Sequence, residues 1–88
     1  MGKKAKLTEV TITVSADCKE FLCCEQFDFL EEVEDLGDSV EYYTQLTVSK
    51  TISVKNYDFE KVLKKTKKLE QKVNKRLSYL RSLINGHI

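Results

Sequence analysis

From Leu7 to Ser15 the chain alternates, with Val10, Ile12 and Val14 on one parity and Thr11 and Thr13 on the other. A period of two built from β-branched residues predicts a strand with one buried face. The period changes at Asp17. Asp17-Cys18-Lys19-Glu20 has the spacing of a capping box. Beyond it, Phe21, Leu22, Phe29, Leu30, Val33 and Leu36 share one broad face of a helix whose other face carries Glu31, Glu32, Glu34 and Asp35. Gly37 is expected to stop that helix in the left-handed conformation.

Alternation returns between Val40 and Val54, where Val40, Tyr42, Leu46, Val48, Ile52 and Val54 keep one parity and Lys50 intrudes on it. One long strand fits this pattern. A hairpin turning at Ser49-Lys50-Thr51 accounts for more of it, because it sets Val48 opposite Ile52 and Leu46 opposite Val54 and moves Lys50 to an exposed tip. After Asn56 and Tyr57, Asp58 can cap a last helix running to about Asn85, with Gly86 as its stop. Phe59, Val62, Leu63, Thr66, Leu69, Val73, Leu77, Leu80 and Ile84 follow at spacings of three and four. Such a stripe suits a coiled-coil seam or a helix laid on a three-stranded sheet. The element order, strand, helix, hairpin and long C-terminal helix, predicts an α+β fold: a small antiparallel three-stranded sheet with helices packed on one face.

At 88 residues the chain has material for one core. Residues 1–6 read as a basic tail and residues 7–88 as a single domain. Hydrophobic residues at 41% and charged residues at 33% give a globular balance that argues against disorder of the whole chain. No proline and only three glycines leave no Gly-rich nucleotide loop. Cys18, Cys23 and Cys24 are odd in number and crowded, which points to reduced thiols serving as small core residues. Their acidic surroundings would raise a thiol pKa, the wrong direction for a nucleophile. His87, the sole histidine, lies far from them, so no zinc site is expected. The carboxylates fall on solvated helix faces. The expectation is a chain without catalytic residues, metal, cofactor or small-molecule substrate. No apolar run reaches the roughly 18 residues that span a bilayer and no signal-like segment follows Met1, so the cytosol or nucleus is expected and a membrane is not.

The net charge of +1 conceals a division. Residues 1–56 hold six lysines against eleven acids, a net −5, whereas residues 57–88 hold nine bases against three acids, a net +6. Lys64, Lys65, Lys67, Lys68, Lys72, Lys75 and Arg76 crowd into about three helical turns. Few acids stand where they could pair with these at i,i+4, so a phosphate-binding face is favoured over a solvated one. Charge alone does not separate RNA, DNA and anionic membrane. The rival reading is a homodimer seamed by Val62, Leu69, Val73 and Leu80, with the lysines as a solubilising face.

The order of the motifs resembles the eukaryotic-type large-subunit ribosomal protein 22 family over most of the chain. A lysine-rich start leads into Val10-Thr11-Ile12-Thr13-Val14. Glu25-Gln26-Phe27 and Phe29-Leu30-Glu31-Glu32 are similar to the Glu-Gln-Phe-Leu-Gln-Glu stretch of the family's first helix. Ile52-Ser53-Val54 followed by Phe59-Glu60-Lys61 is similar to its Ile-Thr-Val and Phe-Ser-Lys. Lys64-Lys65-Thr66-Lys67-Lys68 and Tyr79-Leu80-Arg81 resemble its Thr-Lys-Lys, Leu-Lys-Lys and Trp-Leu-Arg run. No single motif is specific; their collinear order carries the likeness. The family's longer link between first strand and first helix, with its Thr-His-Pro, is missing here, as are the strand and acidic tail that follow its last helix. The resemblance implies a non-catalytic α+β domain on the outer surface of the large ribosomal subunit, in the cytoplasm, bound to ribosomal RNA and next to other ribosomal proteins. It carries over a lysine face: Lys61, Lys64, Lys65, Lys67, Lys68, Lys72, Lys75 and Arg76, with Lys3, Lys4, Lys6, Lys50 and Lys55 in support.

Overall fold

A computed structural model describes residues 6–22, 28–56 and 58–85. The alternating N-terminal segment is strand β1 (Leu7–Asp17), and the second alternating segment yields β2 (Ser39–Tyr42) and β3 (Gln45–Lys55). They form an antiparallel sheet in the order β1-β3-β2. With the helices, chiefly α3 (Phe59–Asn85), this is the α+β architecture expected.

The hairpin is not where parity placed it. The chain turns at Tyr43 and Thr44, and β3 runs straight through Ser49-Lys50-Thr51. Its register with β1 explains the difference: Leu7 faces Lys55 and Asp17 faces Gln45, so all eleven β3 residues pair. Val48 lies opposite Val14 and Ile52 opposite Val10, so both gain a partner from the N-terminal strand, and Val48 keeps a second one, Val40, across the β2 side. A short hairpin folded at Lys50 would leave β1 with half as long a neighbour, and unpaired strand edges are unfavourable. Asp38 secures the bypassed turn. Its N–H donates to the Ser49 carbonyl (2.9 Å), and its Oδ2 accepts from the Thr51 N–H (2.8 Å). On the outer face, hydroxyls meet across the strands, Thr11 with Thr51 (3.3 Å) and Thr13 with Ser49 (3.2 Å).

The acidic segment is also divided. Among the described residues it comprises α1 (Lys19–Leu22), α2 (Phe29–Val33) and a 3-10 turn over Glu34–Leu36. Asp17 Oδ1 accepts from the N–H of Lys19 (3.0 Å), two residues on, so the capping-box spacing is not used. Asp28, extended at φ −82° and ψ 90°, caps α2 instead by accepting from the Glu31 N–H (3.2 Å). The expectations for Cys23, Cys24 and the residues up to Phe27 fall outside the described residues. Gly37 is extended (φ −160°, ψ −172°), not left-handed. What it provides is room: a Cβ there would sit 2.6 Å from the Ser49 carbonyl oxygen and 2.7 Å from Val48 Cγ1. This glycine lets the chain pass directly over β3.

Asn56 makes the bend into α3 at φ 53°, a conformation that asparagine tolerates better than most residues. Its N–H donates to the Lys6 carbonyl (3.1 Å), which ties the start of β1 to the same corner. Asp58 caps α3 as expected, accepting from the Lys61 N–H (3.2 Å). The core lies between the sheet and α3, closed at one end by the acidic segment. Ile12, Val14, Cys18, Phe21, Phe29, Val33, Leu36, Leu46, Val48, Leu69, Val73, Leu77 and Leu80 are buried in it. Phe21 stacks on Phe29 (4.8 Å between centroids), and Phe29 meets Tyr42 edge-on (5.4 Å). Thr66 can lie on the apolar side of α3 because its hydroxyl donates back to the Val62 carbonyl (2.8 Å).

The helical stripe is only partly used. Leu69, Val73, Leu77 and Leu80 are buried, but Phe59 and Leu63 are 74% and 63% exposed. At about 100° per residue Phe59 points the same way as buried Leu77, about five turns further on, so its exposure comes from the lack of described chain over the start of α3. Leu63 sits further round, past the edge of the stripe. The proposed dimer seam is largely taken, since its Leu69, Val73 and Leu80 are covered by the chain's own core.

Candidate nucleic-acid interface

Between Phe59 and Asn85 there is no glycine or proline, and the leucines, lysines and arginines are good helix formers. The same segment opposes itself electrically. Lys61–Lys65, Lys64–Lys68 and Lys68–Lys72 are like-charge pairs at i,i+4, each destabilising by a few tenths of a kcal/mol. Lys61 also stands in the first turn, where the helix dipole disfavours a cation. Burial of Leu69, Val73, Leu77 and Leu80, at about 1.5–3 kcal/mol per side chain, outweighs these terms. Lysine density on α3 is therefore a cost to the fold, not a support for it.

The helical period sorts these cations. Lys61, Lys65, Lys68, Lys72 and Lys75, spaced four, three, four and three, form a row along one flank of the apolar stripe, and Lys64 and Lys67 lie further round. All seven are exposed. Among the described residues none of them belongs to an ion pair. A shallow groove of about 280 Å³ runs between the stems of Lys61, Lys64, Lys65, Lys67 and Lys68 and the side chain of Gln71.

The arginines behave differently. Arg76 makes a two-pronged bond to Asp35, Nη1 to Oδ1 at 2.7 Å and Nη2 to Oδ2 at 3.0 Å, and Nη1 also donates to the Glu32 carbonyl (2.6 Å). That guanidinium holds the Asp35 carboxyl below its ordinary pKa, and the carboxylate in turn pushes the Arg76 pKa up. Arg81 donates from Nε to Glu20, reaches the Asp17 carbonyl (3.5 Å) and lies 5.9 Å from the Phe21 ring centroid. Its hydrogen bond lowers the Glu20 pKa. Both arginines thus fasten α3 to the acidic segment. Arg76, counted on the lysine face from its position in the sequence, is committed to the fold, because a planar guanidinium fork matches a carboxylate better than an ammonium does.

Lys50 occupies the place that the mislaid hairpin hid. It stands on the inner face of β3 between Val48 and Ile52, opposite Ile12. With Lys65, Lys68 and Lys72 it surrounds a notch of about 110 Å³ whose apolar lining is Ile12, Ile52 and Leu69. Among the described residues no carboxylate lines it. Lys65 and Lys68 border both this notch and the helix groove, so the two form one cationic surface. Lys6 and Lys55 are exposed at the corner where β3 leads into α3. Lys3 and Lys4 fall outside the described residues. The apolar lining went unnoticed in the sequence, although Lys50 on an apolar parity was its available signal.

Cys18 is fully buried in the core. Burial, followed by the carboxylates of Asp17 and Glu20, pushes its thiol pKa up. Among the described residues no helix is long and apolar enough to cross a membrane. Comparison with protein-family models, curated proteins and solved structures returns no match.

Proposed function

We propose that this chain is a non-catalytic RNA-binding domain that holds the phosphate backbone against the lysine flank of α3, and that its RNA is ribosomal RNA of the large subunit. One observation carries the reading: seven exposed lysines on α3 stand outside any ion pair among the described residues, while both arginines of the same helix are matched with acids. A helix that tolerates such mutual repulsion has a use for the charge, and a phosphate backbone supplies it. Each lysine that neutralises a phosphate releases condensed counterions, which gives affinity that is insensitive to sequence and weakened by salt. Lys61, Lys64, Lys65, Lys67, Lys68, Lys72 and Lys75 are the main contacts in this reading, with Lys50, Lys55, Lys6 and the two tail lysines in support. The choice of RNA over DNA, of the large subunit and of neighbouring ribosomal proteins as further contacts rests on the family resemblance in motif order.

The test is cosedimentation of the chain with ribosomal subunits across a salt series, together with a variant in which Lys64, Lys65, Lys67 and Lys68 are changed to Glu. The parent should pellet with large subunits and be released progressively by salt. The variant should stay in the supernatant with an unchanged circular-dichroism spectrum. A variant that still pelleted with large subunits would refute the proposal.

A further inference from the structure

We infer that the notch between β3 and α3 is a seat for a single phosphate group, with Lys50 as its anchoring residue and Lys65, Lys68 and Lys72 as its walls. The inference rests on the RNA-binding reading and assigns that surface a definite centre. Lys50 is the reason. Val10, Ile12, Val14, Val48 and Ile52 share the face on which it stands, and a β-branched residue there would continue the face without interruption. Instead a lysine is set opposite Ile12, beside a helix flank that presents three more, and among the described residues no carboxylate lines the space they share. Four exposed lysine side chains thus line one space, and an anion placed in it is drawn by each of them.

Geometry separates this notch from an ordinary lysine face. Its walls come from two elements with fixed mutual position, because Leu69 is buried in the core and β3 is paired along its full length with β1. Its floor of Ile12, Ile52 and Leu69 excludes water from one side, and a weaker dielectric there strengthens each ammonium–phosphate contact. β2 begins at Ser39, opposite Ser49, so among the described residues β3 has from Lys50 onward a strand neighbour only in β1. One phosphodiester of an RNA strand seated here would touch sheet and helix at once and set the register of the phosphates that follow along Lys61 and Lys64.

The experiment compares Lys50→Ile and Lys50→Gln with Lys64→Ile, which removes an α3 lysine outside the notch. Binding of the full chain to a mixed-sequence double-stranded RNA is measured over a salt series, and melting is followed in parallel. Both Lys50 variants should bind about tenfold more weakly, against about twofold for Lys64→Ile. They should also lose about one phosphate's worth of salt dependence. Lys50→Ile should melt at a higher temperature than the parent, since it completes an apolar face and removes a repelling charge. Equal weakening by Lys50→Ile and Lys64→Ile would overturn the notch and leave the RNA-binding reading intact. If the parent itself fails to bind RNA, that reading falls, and the notch is judged by titrating the chain with inorganic pyrophosphate under NMR. Saturable shifts at Lys50, Lys65, Lys68 and Lys72 that vanish in Lys50→Gln would uphold it; weak shifts spread over every lysine and indifferent to position 50 would overturn it.

Discussion

The two halves of α3 have nearly the same amino-acid vocabulary and opposite surroundings. From Leu69 to Arg81 every third or fourth residue enters the core, and the two arginines are clasped by Asp35 and Glu20. From Phe59 to Lys68 the apolar residues Phe59 and Leu63 stay exposed and the lysines carry no ion pair among the described residues. The difference teaches that charge on a helix acquires its role from what lies across from it. Where the acidic segment folds over the helix, its two arginines become fasteners, while Lys72 and Lys75 on the other flank stay unpaired among the described residues. Where only a two-stranded stretch of sheet lies beneath, they remain available to a ligand.

The comparison breaks most visibly with a buried charge. Val73→Asp, at a position with no exposure, should abolish the folded state, because an unpaired carboxylate in the core costs more than a small domain's stability can absorb. Leu63→Asp in the first half should leave a folded chain, with circular dichroism and thermal melting as the readout. A native-like melt for Val73→Asp would mean that the second half is not the packed one.

A smaller effect follows from truncation. Leu77→Ala should lower unfolding free energy by about 2–5 kcal/mol, since it leaves a cavity in a closed core. Leu63→Ala should change it by no more than about 0.5 kcal/mol, as for most exposed positions. Denaturant titration of both variants puts a number on the contrast between the halves.

The smallest effect concerns acid. Asp35 and Glu20 titrate below their ordinary values in the folded chain, which therefore binds fewer protons than the unfolded chain in that range. Their stabilising contribution is present in full above the unfolded carboxylate range near pH 4 and is lost as pH falls through the lowered folded values. Both pairs are solvent-exposed, so the contribution is modest. Arg76→Gln should flatten the acid limb of melting temperature against pH and leave RNA affinity as in the parent. An RNA defect comparable to that of a lysine variant would return Arg76 to the binding face.

Much of the fold was legible because it is local. The Thr/Val alternation of β1, the Asp58 cap and the Leu69-Val73-Leu77-Leu80 spacing each announce themselves within a few residues. The candidate site was legible as a charge excess on α3 but not as a surface. Arg76 looked like one more cation because Asp35, 41 residues away, has no signature in its neighbourhood. Lys50 looked like a turn residue because parity within one segment treats any polar intruder as a break.

What the sequence determined by itself is therefore the first strand, the long last helix with its cap, the apolar faces of both and the sign of the charge in each part of the chain. These depend on backbone periodicity and composition, which act between near neighbours. Only the tertiary structure decided that β3 pairs end to end with β1, that Gly37 is needed for close approach to β3, and that Lys50 lies mid-strand beside the lysines of α3 instead of at a hairpin tip. Strand register is settled by competition among distant partners for backbone hydrogen bonds and apolar contact, and a competition of that kind has no winner until the whole chain has been brought together.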